Sequence, residues 1–245
     1  SEEELEKAHT ELDSELLAIL RESRNNIRRF HEKGLPQSRL SWEEDNIVLG
    51  QRVTPIERVG VYVPGGRAAY PSSLLMGVVP AQVAGVKEIY IATPCDSQGR
   101  MNSTILAAAW ELGVADVFRV GGAHGIAGLA YGTATISMVD KIVGPGNIYV
   151  ATAKKLLYGQ CGIDMVAGPS EVLIIADDSA DAEFVAADLL AQAEHDPLAS
   201  AILATNSPEL AQSVSKQVVE QTNLLPRSEI INQAVDGFGG IILLD

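Results

Sequence analysis

Apolar positions along the first part of the chain recur at the spacing of an amphipathic helix. Residues 1–33 keep this three- and four-residue spacing throughout. Ser1 with Glu4 fits a capping box at the start, and Gly34 supplies a stop signal at the end. The pattern of residues 41–58 then predicts extended, edge-type structure that is interrupted by charged residues. The pattern therefore predicts an N-terminal helical segment followed by an extended one.

From Val59 onward, short apolar runs alternate with helical patterns, which is typical of βαβ units around a parallel sheet. The predicted strands are 59–63, 88–93, 116–120 and 141–143, and the predicted helices are 72–85, 102–112, 122–131 and 147–158. A second alternation follows the glycine-containing link 166–170. Its predicted strands are 171–176, 201–205 and 239–244, and its predicted helices are 181–195 and 207–222.

These elements predict an α/β protein with two Rossmann-like βαβ domains, mainly parallel sheets and an N-terminal helical segment. The link 166–170 is expected to act as a hinge. We expect residues 61–169 to form an inserted domain, and residues 1–60 to join 170–245 in the other domain. Because the chain begins inside a helical pattern and stops on the apolar run 241–244, we also expect it to be cut at both ends.

Composition and charge narrow the function classes. The formal net charge is −14, which argues against a nucleic-acid-binding protein, because such proteins usually carry a basic patch. The two cysteines, Cys95 and Cys161, form no CxxC motif, and this favours a reducing, cytoplasmic setting. The sequence has no signal peptide and no apolar run of membrane-spanning length, so no membrane partner is expected.

Four loops share one predicted design, in which an apolar strand is followed by glycine or proline and then by a helix start. They are Pro64-Gly65-Gly66, Gly121-Gly122, Gly144-Pro145-Gly146-Asn147 and Gly168-Pro169-Ser170-Glu171. Ligands of open α/β sheets bind beyond the carboxyl ends of the strands, where helix starts favour phosphates. None of the loops is a GxGxxG fingerprint or a Walker motif. Each loop alone fits simple turn chemistry, whereas the four together favour a nucleotide or phosphate site.

Several single residues are candidates for a chemical role, and a purely structural role is also considered for them. Gln192 and His195 are three residues apart at a helix end and fit metal ligation, although a histidine there also suits the helix dipole. Asn147 is placed to cap a helix. Tyr62 precedes the Pro-Gly-Gly loop and either stacks on a cofactor or is a half-buried strand tyrosine. His124 opens a helix near the expected cleft, where it either contacts a ligand or caps the helix.

Long motifs in a fixed order resemble one family. They are Gly60-Val-Tyr-Val-Pro-Gly-Gly66, Val120-Gly-Gly-Ala-His-Gly-Ile126, Asp140-Lys-Ile-Val-Gly-Pro-Gly-Asn147, Ile163-Asp-Met-Val-Ala-Gly-Pro-Ser-Glu-Val-Leu173 and Asp188-Leu-Leu-Ala-Gln-Ala-Glu-His195. Together with Ala69-Tyr-Pro-Ser-Ser-Leu-Leu-Met76, these motifs are similar to those of the histidinol dehydrogenases. The resemblance runs along the whole chain and is strongest from 59 to 197.

The resemblance implies an oxidoreductase of histidine biosynthesis, and thus of amino-acid biosynthesis. Its members oxidise the amino alcohol L-histidinol through the aldehyde to L-histidine, with two NAD+ reduced and with Zn2+ holding the substrate. They are homodimers with two incomplete Rossmann-like domains. By motif, Gln192 and His195 match two zinc ligands that also contact the substrate, and Ser170 matches a substrate contact. Tyr62 and Asn147 match cofactor contacts, and His124 stands where many members carry a glutamine that contacts the cofactor.

The resemblance also implies that parts of the site are absent. The family's acid/base pair lies in a Gly-Pro-Glu-His motif, which this sequence does not contain, so no catalytic residue is assigned in this chain. The remaining aspartate and histidine ligands of zinc are expected beyond Asp245, and the family's N-terminal segment is expected to be missing. Two alternatives stay open: a related zinc- and NAD-dependent dehydrogenase of another polar alcohol, such as a sulfonated propanediol, and a truncated, non-catalytic module.

Overall fold

The computed structural model describes residues 1–45, 47–65, 70–167 and 170–244, without the side chains of 40, 41, 43 and 44. Contacts divide the chain into two compact units, unit 1 (Ser1–Ala167) and unit 2 (Gly168–Asp245). The α/β class with parallel sheets is confirmed. The expected association of 1–60 with 170–245 stays a prediction.

Unit 1 begins with two helices, α1 (Glu2–Thr10) and α2 (Ser14–Lys33), so the prediction of one continuous helix is wrong at residues 11–13. The break has a local cause. Asp13 Oδ1 accepts hydrogen bonds from the backbone N–H groups of Glu15 and Leu16, both at 3.0 Å, and so starts a new helix. The predicted capping box is present, since Ser1 Oγ accepts from the N–H of Glu4 at 3.4 Å.

An antiparallel hairpin of β1 (Arg39–Glu44) and β2 (Ile47–Gln51) follows the helices. The chain then alternates strands with helices, as predicted. The elements are β3 (Arg58–Tyr62), α3 (Pro71–Ala84), β4 (Glu88–Thr93), α4 (Ser103–Glu111), β5 (Val117–Arg119), α5 (Gly122–Tyr131), β6 (Lys141–Val143), α6 (Ile148–Leu157) and β7 (Gly162–Ile163). The sequence did not predict β7, because two residues are too short to give an apolar run.

The parallel sheet of unit 1 has the strand order β5-β4-β3-β6-β7. From β3, the chain moves outward through β4 to β5, and then returns to the middle of the sheet with β6 before reaching β7. The direction therefore reverses between β3 and β6. This reversal is a topological switch point, and the crevice beyond the carboxyl ends of these two strands is where such sheets bind ligands.

Both faces of this sheet are covered. Val61 and Ile91 are fully buried in a cluster with apolar residues of α1, α2, α3 and α4. On the other face, Tyr62 and Ile142 pack with residues of α5 and α6, including Leu129. Coverage on both faces explains why the strands read as continuous apolar runs rather than as alternating ones.

Unit 2 is a smaller parallel sheet with the order β10-β9-β8. Its elements are β8 (Glu171–Ala176), α7 (Ala182–Ala193), β9 (Ser200–Thr205), α8 (Pro208–Thr222), α9 (Ser228–Phe238) and β10 (Gly239–Leu243). The sequence missed α9, whose N-cap, Arg227, makes no side-chain capping bond and so gives no start signal. Across the described residues of both units, no helix has the length and apolarity needed to cross a membrane.

The two faces of β8 differ in their surroundings. Val172 and Ile174 pack inward against the cluster built by α7, α8 and β9. The alternate residues Leu173 and Ile175 point away from that cluster and are 58% and 79% exposed. The face of β8 opposite this cluster therefore carries exposed apolar side chains.

Glu111 at the end of α4 joins this helix to the two N-terminal helices. Its carboxylate accepts hydrogen bonds from Arg21 at 2.9 and 3.0 Å and from Arg24 at 2.8 Å, and it lies 3.0 Å from His9 Nε2. The side chain is only 10% exposed. The hydrogen bond from Arg21 is the main cause that holds the pKa of Glu111 below its ordinary value.

We predict that Glu111→Gln destabilises the protein by about 1–2 kcal/mol at neutral pH, because charge-assisted bonds to two arginines are lost. A depressed folded-state pKa adds stability above the unfolded-state pKa, about 4.3, and loses it as the pH falls through the lower folded value. The deficit of the variant should therefore shrink below about pH 4. Urea unfolding followed by circular dichroism measures it.

The matched control is Glu11→Gln, which alters a surface pair with Lys7 at 3.8 Å and should change stability by less than about 0.5 kcal/mol. An equal deficit of Glu111→Gln at acidic and neutral pH would contradict a charge-based contribution.

Candidate functional site

The predicted site residues fall into two sets, one in each unit. Tyr62, His124 and Asn147 belong to unit 1, and Ser170, Gln192 and His195 belong to unit 2. Hydrogen bonds join Tyr62 to the start of α5 in unit 1 and Gln192 to Ser170 in unit 2. The loop stretches 66–69 and 168–169, which include parts of two of the four predicted glycine loops, lie outside the described residues.

Tyr62 is the last residue of β3 and is 3% exposed. Its hydroxyl accepts a hydrogen bond from the backbone N–H of Gly122 at 2.9 Å, at the start of α5. Burial raises the pKa of Tyr62 above its ordinary value, and the N–H of Gly122 opposes this only in part. The phenol is therefore neutral near pH 7 and fixes the position of the α5 start relative to β3. Its ring lies in the core cluster on the α5 face of the sheet.

His124 is an exposed residue in the first turn of α5. The N-cap of this helix, Gly121, makes no side-chain capping bond. The first N–H groups of a helix without a capping side chain suit an anion, since they carry the positive end of the helix dipole. The start of α5 is thus suited to an anionic ligand, with His124 beside it.

Asn147 lies before the first residue of α6 and is exposed. Its Oδ1 accepts hydrogen bonds from the N–H groups of Tyr149 at 3.1 Å and Val150 at 3.2 Å. The predicted helix cap is therefore confirmed. Two N–H groups at the start of α6 are thus bonded to a side chain, whereas at the start of α5 the N–H of Gly122 is bonded to the Tyr62 hydroxyl.

Gly144, directly after β6, brings the Asn147 loop against β3. It has a φ of +113°, and a Cβ atom there would lie 2.1 Å from the carbonyl oxygen of Tyr62. Only glycine fits this approach. Tyr62 is therefore in contact with the loops on both sides of the switch point, through its hydroxyl on one side and its backbone on the other.

In unit 2, Ser170 stands directly before β8, and Gln192 lies in the last turn of α7. Gln192 Nε2 donates to the carbonyl oxygen of Ser170 at 3.3 Å, and the N–H of His195 donates to the carbonyl oxygen of Gln192 at 3.2 Å. His195 is exposed in the turn after the helix end at Ala193, so it continues the helix face only approximately. The structure thus joins Gln192 to Ser170 and places His195 one turn after Gln192 along the chain.

An open groove of about 830 Å³ runs beside α3 and reaches the switch point at Gly144 and Pro145. Its wall is mainly apolar and includes Met76 and Val143. Tyr62, His124 and Asn147 are not among the described residues that line it. The groove therefore lies next to the predicted cofactor residues but is not formed by them.

Two charged residues at the switch point were missed by the sequence analysis. Lys154 on α6 is 1% exposed, and it donates to the carbonyl oxygen of Gly144 at 2.9 Å and to the carboxylate of Asp164. The available signal was a lysine in the inward-facing stripe of α6, which also contains Val150 and Leu157. An ammonium group in such a stripe requires a buried partner.

A parallel sheet with a topological switch point and a tight glycine turn directly after β6 is typical of the α/β proteins that bind nucleotides and other ligands at the carboxyl ends of their strands. Comparisons with known proteins give the family. The sequence profile of the histidinol dehydrogenases matches residues 1–245, and the chain belongs to this family.

The relatives are similar along the whole chain. Histidinol dehydrogenase of Carboxydothermus hydrogenoformans is 54% identical over 245 residues, which are 100% of this chain and 57% of that protein. The Geobacillus kaustophilus protein is 52% identical over 248 residues, which are 100% of this chain and 58% of that protein. The crystal structure of the Elizabethkingia anophelis enzyme superposes with a TM-score of 0.91 at 40% identity, covering 99% of this chain and 56% of that one. The chain thus spans little more than half the length of these relatives.

We predict that Asn147→Ala frays the start of α6 and costs about 1 kcal/mol, because the N–H groups of Tyr149 and Val150 lose their acceptor. Asn147→Asp should keep the cap, since a carboxylate oxygen also accepts at a helix start. Amide hydrogen exchange of the first turn of α6, together with urea unfolding, measures both effects. Equal losses in the two variants would argue against a capping role.

Proposed function

We propose that this chain forms the nucleotide-binding part and half of the metal site of a histidinol dehydrogenase. That enzyme oxidises L-histidinol through the aldehyde to L-histidine and reduces two NAD+. The observation that carries the proposal is the match of the family profile to the whole chain, at about 50% identity to curated members. The proposed protein is a cytoplasmic homodimer that acts in histidine biosynthesis.

The residues at the switch point of unit 1 are suited to NAD, which when bound accepts the hydride. A Cβ atom at Gly144 would fill the space against Tyr62, so glycine lets the loop come close to β3. Beyond the N–H of Gly122, which is bonded to Tyr62, the first-turn N–H groups of α5 suit a phosphate. In this proposal, the buried Tyr62 hydroxyl holds that helix start in place, while His124 and Asn147 contact the cofactor from the exposed side.

The donor set in unit 2 is suited to zinc, but it is incomplete. The bond from Gln192 Nε2 to the carbonyl oxygen of Ser170 leaves the amide oxygen as the atom that a cation binds, and His195 adds an exposed imidazole. In the part of the chain that the structure describes, no three histidine, cysteine, aspartate or glutamate side chains come together as a metal site. When bound, zinc polarises the alcohol of the substrate. Gln192 and His195 orient this half of the site, and Ser170 contacts the substrate.

A chimera tests the activity directly. In it, this chain replaces the 248 matched residues of the Geobacillus kaustophilus protein, which supplies the remaining sequence. We predict that the chimera forms NADH when L-histidinol is added, as measured by NADH absorbance. His195→Ala in the chimera should lose both zinc, measured by elemental analysis, and turnover, because one ligand is removed.

His31→Ala in the chimera is the matched control, since it removes an imidazole on α2 of unit 1, and it should keep zinc and turnover. A chimera that folds and binds zinc but oxidises a sulfonated propanediol instead of L-histidinol would support a related dehydrogenase. A folded chimera without any turnover would contradict the proposal.

The chain of 245 residues on its own should not catalyse the reaction, because the sequence contains no Gly-Pro-Glu-His motif to supply the acid/base pair. It should also bind zinc weakly, since two ligands rarely hold the ion. NADH formation and zinc calorimetry on the purified chain measure these two expectations. Full turnover, or tight one-to-one zinc binding, would show that the chain contains more of the site than we propose.

A further inference from the structure

Lys154 is a buried cation in the core of unit 1. It lies on the same face of α6 as Val150, Ala151 and Leu157, and only 1% of its surface is exposed. Burying an unpaired ammonium group costs roughly several kcal/mol. An apolar residue of similar volume often stabilises a core as well as a buried ion pair does. The charge at this position therefore calls for a specific role besides filling space.

The partners of Lys154 converge on one residue, Gly144. Lys154 Nζ donates to the carbonyl oxygen of Gly144 at 2.9 Å and to Asp164 Oδ1. Asp164 Oδ2 in turn accepts from the N–H of Gly144 at 2.8 Å. The peptide groups on both sides of the Gly144 Cα atom are thus bonded to this ion pair. Asp164 Oδ1 also accepts from the N–H of Met165 at 2.6 Å, which anchors the carboxylate.

Gly144 is the point where the chain leaves β6 at the switch point. Its φ of +113° and its contact with the carbonyl oxygen of Tyr62 set the direction of the loop that ends at Asn147. Because β6 ends at Val143, the N–H and the carbonyl group of Gly144 lie beyond the strand. Within β6, neighbouring strands bond the backbone. At Gly144, the side chains of Lys154 and Asp164 bond the carbonyl oxygen and the N–H group instead.

We propose that Lys154 and Asp164 are a positioning pair that holds the loop 144–147 in its nucleotide-binding shape. This inference rests on the proposed function, because it takes NAD as the ligand. The pair acts through Gly144 and not on the cofactor directly. The ammonium of Lys154 is buried and already has two acceptors, so it is not the group that meets the phosphates.

The test compares Lys154→Met and Asp164→Asn with the unsubstituted chain of 245 residues. NAD+ itself is the probe, and its affinity is measured by calorimetry. If the loop keeps its binding shape in only about a tenth of the variant molecules, the apparent affinity falls about tenfold. We expect a loss of this size in both variants. Amide exchange of residues 144–147, measured without NAD+, should become faster in both, while exchange in β3 and β4 stays slow.

The matched control is Lys155→Met, which removes the neighbouring lysine on the exposed side of the same helix. It should leave both NAD+ affinity and loop exchange unchanged. Asp164→Asn keeps a side-chain oxygen for the N–H of Gly144. It therefore gives the same comparison if Lys154→Met does not fold.

The directions in which Lys154→Met and Asp164→Asn change the NAD+ affinity distinguish a positioning role of Lys154 from direct binding of the cofactor. If Lys154 were a phosphate ligand restrained by Asp164, then Asp164→Asn would tighten NAD+ binding while Lys154→Met weakened it, and this would overturn the positioning role. Equal affinity in all four proteins, or faster exchange throughout unit 1 with unchanged affinity, would also overturn it. Failure of the unsubstituted chain to bind NAD+ would overturn the cofactor assignment, and with it the role of the pair in nucleotide binding.

Discussion

The parallel pairing of β3 with β6 is the constraint on which unit 1 depends. It places the first and fourth strands of the βαβ series side by side, with Val61 opposite Val143. The helices that follow these strands are thereby sent to opposite faces of the sheet, where each covers its own apolar cluster. The reversal of direction at this pair is the topological switch point, and Tyr62 and Asn147 lie on the two chain segments that meet there.

Tyr62 shows how one residue serves both the core and the crevice. Its ring fills the core on the α5 face of the sheet, its hydroxyl receives the N–H of Gly122, and its carbonyl oxygen lies against Gly144. A residue with these three contacts fixes the distance between two loops. The structural and functional readings of Tyr62 are therefore compatible, since a buried strand tyrosine can shape a site without exposing its ring.

Much of the fold could be predicted from the sequence, because strands covered on both faces read as apolar runs and the turns are marked by glycine and proline. The bounds of β4, α5, β6 and β8 agree with the prediction. The elements that were missed carried weak local signals. Strand β7 has two residues, α9 has no capping side chain, and the break before α2 depends on one aspartate inside an otherwise continuous helical pattern.

The residues of the candidate site could be predicted from the sequence only where they lie in a recognisable local motif. Spacing along the chain suggested the Asn147 cap, which the structure forms through short-range hydrogen bonds. The grouping of Gln192 with His195 as ligands stays a prediction. The contact of Tyr62 with Gly122 joins residues sixty positions apart. The bonds of Asp164 and Lys154 to Gly144 depend on how β7 and α6 meet beside β6. Such contacts depend on the tertiary fold, which local sequence patterns do not encode.

The outer side of β8 has a consequence for the behaviour of the chain in solution. Leu173 and Ile175 present an apolar surface to water, and such a surface favours the association of one molecule with another. The net charge of −14 opposes this, because like-charged molecules repel one another. Dissolved salt screens the repulsion but leaves the apolar attraction in place. Any association of molecules through this face of β8 is therefore expected to increase with the ionic strength of the medium.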